Sequence, residues 1–582
     1  MGLADVFARE AATAAAPAPL DIRVAQAEAR RITGLPPLQV LRDVTALFKK
    51  PRGTMSLRPV QAQALLEIMQ HGKLFGPIGV GHGKTLISLL AGPALRKSTT
   101  LNNPPRLGRT ILLVPAKLAK KTLEEMHDIY EKHWNFDIPT VVSYETLSGS
   151  ANSDLLERHA PDLIVCDEAH RVAGDSARSR RFFRYLKENP HVRVIPLSGS
   201  FTRDSLSEYW KLVKLSLHEL SPMPLDYPVF KAWDAVLSTK EFFKDNDRDG
   251  IIPFLQTSSV RRRAATAVEM DDFRDVARQA FLNRIENTAS WVSAEGASTD
   301  ARLTLQSTPL DLPEEVRAAI HDVEEHWRRP DGEEFEDSLA KWRYTWQLYQ
   351  GYYMYWDWST WPNGEPDREW MAYRAAFHKQ IRAFLKDPRL AITGRDSPKN
   401  VVKEIRNGRI SRPLDLLDAY ANWEEVRHRP VPPSKSMWMS NHMIKAIREY
   451  VDRVDEPTLI WVDSPLLRDK LSRWFTVYGP GMKPNENKPE TCVLGHRIHN
   501  EGLNLQKWRR SLLTTLPTNN KDFQQIIGRT WRQGQQDPVQ VDYFNASGVT
   551  IVDEVVLTLQ ASARYTQDTT GQTQAALQAT WR

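Results

Sequence analysis

Residues 76–90 read GPIGVGHGKTLISLL and residues 162–170 read DLIVCDEAH. In the first stretch, Gly81 and Gly83 let backbone N–H groups approach an anion with no Cβ in the way. The apolar helical pattern that follows would turn a helix N-terminus toward that anion. Lys84 could reach the β- and γ-phosphates of a nucleotide, and Thr85 could hold Mg²⁺. The strict GxxxxGK(S/T) spacing asks for glycine at 78, where Ile78 stands. In the second stretch an apolar run ends in two adjacent carboxylates. Asp167 is placed to hold the water shell of a magnesium ion, and Glu168 to orient and deprotonate an attacking water. A GKT can arise by chance in a loop, and an Asp-Glu pair often ends a strand in solvent. Their order and separation, with Ala169-His170 following, make Mg²⁺-dependent ATP hydrolysis the chemistry to expect.

Such groups need a scaffold that brings a loop and a strand end together. Between 55 and about 215, short apolar runs alternate with amphipathic stretches. The runs are TILLVP (110–115), PTVVSY (139–144), DLIVCD (162–167) and VRVIPLSG (192–199). Continuous apolar strands separated by helices indicate a parallel α/β sheet buried on both faces. A second set follows late in the chain: TLIWVDS (458–464), TCVLGH (491–496), RSLLTTL (510–516) and VQVDYF (539–544). The expected fold class is therefore α/β, with two RecA-like lobes and a helical, aromatic-rich insertion between them. The expected divisions are a helical leader (1–54), an ATP-binding lobe (55–255), the insertion (256–430), a second lobe (431–560) and a tail (561–582). Within the insertion, KWRYTWQLYQGYYMYWDWSTW (341–361) has two readings. Its rings could stack on bases, or they could fill the core of a helical unit; the core reading leads. PVPPSK (430–435) reads as a linker.

The 582 residues, 41% of them hydrophobic, suffice for several cores. A balance of 78 basic against 72 acidic residues leaves +6, compatible with a polyanionic partner but not diagnostic of one. Two cysteines, Cys166 and Cys492, give no disulfide framework and point to a reducing compartment. No apolar run approaches the roughly 20 residues of a membrane span. The Ala/Pro-rich start carries charges where a secretory signal would be apolar. A cytoplasmic, intracellular protein is expected, with a bacterial or bacteriophage source suggested by its compact organisation.

GKT followed by DEAH resembles the superfamily-two helicases and translocases, and further matches come in the expected order. LRPVQ (57–61) is similar to the superfamily's adenine-reading motif, which implies Gln61 as the reader. LLVPAKLAKKTLEEM (112–126) is similar to its backbone-contacting strand and helix. SGSFTRDSLSEYWKLVKL (198–215) resembles the Swi/Snf-type TGTPIQNNLxELWxLL pattern, keeping Gly199, Leu206, Glu208 and Trp210. Phe201-Thr202-Arg203-Asp204 replaces the family's Pro-Ile-Gln-Asn. HNEGLNLQ (499–506) resembles GGxGxNLQ, implying that Glu501 and Gly502 lie near nucleotide or backbone. QQIIGRTWRQGQQDPVQVDYF (524–544) resembles QxxxRxxRxGQxxPVxVYxL, with Gln525, Arg529, Arg532, Gly534 and Gln535 in place. Gly528 stands where an Asp is usual. The hydrolysis transition state spreads charge over the γ-phosphoryl oxygens, and an arginine from a second element can raise the rate about 10³–10⁵-fold. Arg529 and Arg532, three apart on one helical face, suit that role.

The resemblance implies ATP and Mg²⁺ as ligands and nucleic acid as partner, with DNA favoured over RNA and duplex over single strand. The leading expectation is ATP-driven translocation along DNA or remodelling of protein–DNA complexes. A strand-separating DEAH-motif helicase on RNA or single-stranded DNA is the competing enzyme. An ATP-gated clamp that recruits a protein through the Trp-rich insertion is the alternative of another class. Other signals are weaker. TSSVRRRAAT (257–266) is either a phosphate contact or a solvated loop. Arg178, Arg180, Arg181 and Arg184 read as a solvent-facing charge run, or as phosphate contacts. Cys492, His496 and His499 are too few for zinc, and Cys166 reads as a small buried hydrophobe.

Overall fold

The structure, a computed structural model, describes residues 38–582 apart from 99–100, 102–104, 107, 203, 240–242, 267–268, 295–298, 328–334, 336–337, 362–363, 387–397 and 500–501. Most of the 1–54 leader and two named residues, Arg203 and Glu501, fall outside the described residues. The first sheet holds β1 (Gly76–Pro77), β2 (Thr110–Val114), β3 (Thr140–Ser143), β4 (Leu163–Asp167) and β5 (Arg193–Ser198). Its order is β1-β5-β4-β2-β3 and every pair is parallel. β2 and β4 are buried along their whole length, as unbroken apolar runs covered by helices on both faces require. β5 lies between β1 and β4, with Leu197 paired to Gly76 on one side and Asp167 on the other. The loops leaving β1, β4 and β5 therefore meet at one end of the sheet, where open parallel sheets place their ligands.

The second sheet is also parallel, with order β10-β11-β9-β12-β13-β6-β14. Five of its strands come from the expected region: β9 (Thr458–Val462), β10 (Thr476–Val477), β11 (Cys492–Gly495), β12 (Arg510–Leu513) and β13 (Val539–Asn545). The other two do not. β6 (Leu303–Pro309) pairs along all seven of its residues with β13, and β14 (Thr580–Trp581) pairs with β6. The 256–430 stretch is accordingly divided among three bodies. Residues up to Ala294 pack on the first lobe, where Phe273, Phe281 and Ile285 join its aromatic core and Phe75 N donates to Ser290 O at 2.7 Å. Residues 303–353 complete the second lobe, placing Leu305, Val316, Tyr349 and Tyr353 in its core. Only 357–433 forms a separate helical unit, carried on the antiparallel pair β7 (Tyr352–Trp356) and β8 (Ser434–Trp438). Its helices Arg368–Lys386 and Leu414–Val426 pack around Phe377, Ile381, Leu416 and Tyr420. Arg429 clamps its base by pairing with Asp367 at 2.7 Å and Glu369 at 2.6 Å.

The physical reason for this division is hydrophobic period. LTLQSTP alternates with little apolar density, so β6 looks polar alone and becomes a strand only when β13 covers its edge. The chain end behaves similarly. The helix Ile551–Thr570 leaves the second lobe and docks on the first. Tyr209 Oη donates to Thr569 O at 2.7 Å, and Trp291 Nε1 to Thr570 O at 3.1 Å. Beyond it, the Gln574 amide oxygen accepts from Asn520 at 2.6 Å and Gln524 at 3.0 Å. The segment after 561 is thus a brace between lobes. The arginine run after DEAH also differs from a solvated face: Arg181 is 1% exposed and donates to the Leu147 and Gly149 carbonyls. The helix Ala177–Glu188 is the cover of the sheet, and Arg181 satisfies carbonyls that the neighbouring short helix leaves open.

Candidate functional site

The loop after β1 turns through two left-handed glycines, Gly81 (φ +88°) and Gly83 (φ +77°), before the helix Lys84–Arg96 begins. The left-handed φ favours glycine at 83, and a Cβ there would lie 2.3 Å from Gln61 Nε2, so that amide would have to move. Gln61, in the helix Pro59–His71, holds the loop from behind. Its Nε2 donates to Gly83 O at 3.0 Å, and its Oε1 accepts from Arg58 N at 2.9 Å. Arg58 donates in turn to Gly81 O.

Asp167 and Glu168 follow at the end of β4. Glu168 has φ +57°, a conformation rare for a residue with a side chain, and its N–H donates to Asp167 Oδ1 at 3.1 Å. Tyr144 Oη donates to Asp167 O at 2.8 Å. The Glu168 carboxylate is 9% exposed and lies amid three partners. Lys84 Nζ is 3.3 Å from its Oε1, and Ser198 Oγ donates to its Oε2 at 3.2 Å. His170 Nδ1 lies 2.9 Å from Ser198 Oγ and 3.4 Å from Glu168 Oε2. Burial alone would raise the Glu168 carboxyl, but the cations Lys84 and Lys521 outweigh it and hold it below the usual carboxylate range. Burial, reinforced by Lys521, keeps the His170 ring neutral, so its hydrogen bond is to Ser198 and its 3.4 Å approach to Glu168 is not an ion pair.

The second lobe closes the site. Arg529 donates from Nε to Gln525 O at 2.9 Å and from Nη1 to Leu503 O at 3.1 Å. Lys121 crosses between the lobes to Gly502 O at 2.9 Å. The cavity between them measures about 230 Å³. Gly81, Gly83, Lys84, Thr85, Asp167 and Glu168 line it from the first lobe, and Gly502, Gln525, Arg529 and Arg532 from the second. Of the residues singled out in the sequence for the nucleotide site, Gln61 alone among the described ones stays off the cavity wall, its amide engaged behind the loop. Arg58, Lys121 and Tyr130 line the cavity unforeseen. Arg58 and Lys121 sat inside motifs that had been recognised for other residues. Tyr130 sits in a π-helical turn, Met126–Tyr130, that leaves no periodic signal.

The donor set fits ATP with Mg²⁺. The two left-handed glycines leave a cradle that side chains would fill, and Thr85 and Asp167 offer hard oxygen atoms beside it. Magnesium keeps most of its water and takes few protein ligands, so a single carboxylate and a hydroxyl suffice. Of Cys492, His496 and His499, the cysteine is a buried free thiol, and His499 is engaged by the backbone, accepting from Gly495 N at 3.1 Å and contacting Gly479 O at 3.2 Å.

Two parallel sheets joined across a phosphate loop, an acidic pair and two arginines define a motor of the RecA-like, ATP-dependent class. Residues 54–203 match the family described as type III restriction enzyme, res subunit, so the first lobe carries a superfamily-two, helicase-like, ATP-dependent nucleic-acid motor domain. No curated protein matches the chain. Among the described residues no helix is long and apolar enough to cross a membrane.

Proposed function

We propose that the chain is a DNA-stimulated ATPase of Swi/Snf type that translocates along duplex DNA without parting its strands. The observation that carries this reading is the single cavity shared by Lys84, Asp167 and Glu168 of one lobe and Gln525, Arg529 and Arg532 of the other. Lys84 binds the β- and γ-phosphates, Thr85 and Asp167 hold the magnesium and its water, and Glu168 takes the proton of the attacking water. Magnesium, when bound, offsets the charge developing on the phosphate oxygens. The two arginines divide their work. Arg529 is held by two carbonyls and orders the loop around Gly502. Arg532, for which no such anchor is seen among the described residues, meets the γ-phosphoryl charge. Hydrolysis then requires the lobes to be closed, and release of the products lets them part.

The Swi/Snf-like LSEYW segment supports a duplex translocase, since Leu206 and Trp210 are buried and Gly199 packs against the phosphate loop, where a Cβ would lie 3.4 Å from Gly79 Cα. A family named for a restriction enzyme also favours DNA over RNA. The test is ATP turnover with duplex DNA, single-stranded DNA and RNA, followed by triplex displacement and duplex unwinding. Duplex-stimulated turnover with displacement of a third strand and no unwinding is expected. Stimulation by RNA alone would overturn the proposal, and unwinding of the duplex would replace translocation by strand separation.

A further inference from the structure

Gln525 lines the nucleotide cavity and also a second, larger cleft of about 1040 Å³. Both lobes wall this cleft, and so does the helix Ser338–Tyr349, which the family match at 54–203 does not reach. That helix is two-faced. Tyr344, Leu348 and Tyr349 face the second lobe's core. Trp342, Arg343, Trp346, Gln347 and the following Gln350 line the cleft, at the i, i+4 and i+8 spacing of one helical stripe.

We propose that this stripe is a nucleic-acid contact, with Arg343 on a backbone phosphate and Trp342 against a base or sugar of the strand that runs through the cleft. The inference rests on the nucleic-acid motor reading above. The cleft's charge supports it: Lys117, Arg171 and Arg178 from the first lobe, Arg497 and Lys521 from the second, and Arg343 from the helix stand against three carboxylates. An excess of cations converging from both lobes suits a polyanion. Trp342 is half-buried and Arg343 exposed, and Trp342 meets Trp346 edge to face with ring centroids 5.8 Å apart. Trp346 thereby supports Trp342 from the core side. The aromatic-rich stretch thus divides its rings between core and cleft, where one reading had assigned them all to packing.

The test uses the full chain and its Trp342→Ala, Trp342→Phe and Arg343→Glu variants. Affinity for a fluorescein-labelled duplex and its matching single strand is read by anisotropy across a salt series, and nucleotide affinity by a fluorescent ATP analogue. Trp342→Ala is expected to weaken DNA binding roughly tenfold, as loss of one stacking contact does, with Trp342→Phe restoring most of it. Arg343→Glu should lower the slope of log affinity against log salt by about one. Nucleotide affinity and unstimulated turnover should not change. Wild-type DNA affinity and salt slope in Trp342→Ala and Arg343→Glu would overturn the contact and leave the motor reading intact. A wild-type chain that binds neither DNA nor RNA would overturn the motor reading itself.

Discussion

Replacing Glu168 by glutamine separates two roles that the proposed site gives to one side chain. Without nucleotide, the carboxylate is the partner of Lys84 at 3.3 Å, both groups being about nine-tenths buried. Removing one member of a buried ion pair costs about 3–5 kcal/mol when nothing replaces it. Glutamine keeps the shape, and its oxygen can still accept from Lys84 while its amide N–H meets the Ser198 oxygen, so a loss of about 2 kcal/mol is expected. When ATP binds, Lys84 exchanges Glu168 for phosphate oxygens, and in Glu168→Gln that exchange no longer breaks an ion pair. The variant should therefore melt lower than wild type alone, yet gain more from Mg-ATP and bind it up to about tenfold more tightly, equivalent to roughly 1.4 kcal/mol. The same exchange makes Glu168 a better base: once Lys84 turns to the phosphates, the cation that most strongly depresses the carboxyl is withdrawn. Turnover in the variant should fall about 10²–10⁴-fold, the usual contribution of a general base. Phosphate release and thermal melts with and without Mg-ATP measure both effects. Turnover within a few-fold of wild type would refute the base assignment. A smaller ATP-induced stabilisation than wild type would refute the lysine exchange.

The other expectations follow from neighbouring contacts. Arg532→Ala should reduce turnover about 10³-fold with little change in melting, whereas Arg529→Ala should also destabilise the second lobe by about 1–3 kcal/mol, because the Gln525 and Leu503 carbonyls lose their donor; equal melting of the two variants would contradict this. Gly83→Ala should abolish nucleotide binding, since the added methyl collides with Gln61 and the backbone is left-handed; retained affinity for a fluorescent ATP analogue would count against the described loop. Stability should decline as pH falls through about 6.5, because burial depresses His170, His218, His442, His496 and His499, and takes His82, helped by Lys84 and Arg58, to about 4. These groups are lowered on folding, so they stabilise above the unfolded value and lose that contribution as the unfolded chain takes up protons that the folded one refuses. Asp568, raised by burial to about 6, and Glu324, also raised by burial, work in the opposite sense, but they are two groups against six. Denaturant melts at pH 7.5 and 5.5 that coincide would rule this out. Gln574→Ala should lower stability by about 1–3 kcal/mol by leaving the Asn520 and Gln524 amides without their acceptor, read by the shift in melting temperature.

That Lys84, Asp167 and Glu168 gather at one cavity follows from their places at strand ends. An apolar run followed by Asp167-Glu168, or a glycine loop followed by Lys84, carries its own geometry: the strand fixes where the next side chain emerges. The places where sequence reasoning fell short are those where a residue's partner is distant in the chain. β6 becomes a strand through β13, more than 200 residues away, and β14 through β6. Arg181 reads as solvated until the short helix Tyr144–Ser148 brings the Leu147 and Gly149 carbonyls to it. The resemblance implies Gln61 as an adenine reader, and the structure shows its amide bonded to Arg58 N and Gly83 O behind the loop. The aromatic stretch at 341–361 failed to resolve for a different reason. A helix with one face in a core and the other on a cleft shows aromatic residues on both, and ring content alone cannot separate them.

The eight-residue helix Asn520–Ile527 explains why nucleotide and polymer would act on each other in the proposed motor. Asn520 and Gln524 are tied to Gln574 in the C-terminal brace, which reaches the first lobe through Thr569 and Thr570. Gln525 lines both cavities, and its carbonyl holds Arg529. Lys521 lines the cleft while contributing to the field at Glu168 and His170. A phosphate that engages Lys521 in the cleft would screen that field, allowing the Glu168 carboxyl to rise toward the ordinary range and act as a stronger base. Polymer binding would then stimulate hydrolysis even before any movement of the lobes. Lys521→Met separates this route from a purely mechanical one: it should raise turnover without DNA and diminish stimulation by it. A variant with unchanged basal turnover and full stimulation would leave lobe closure as the sole link.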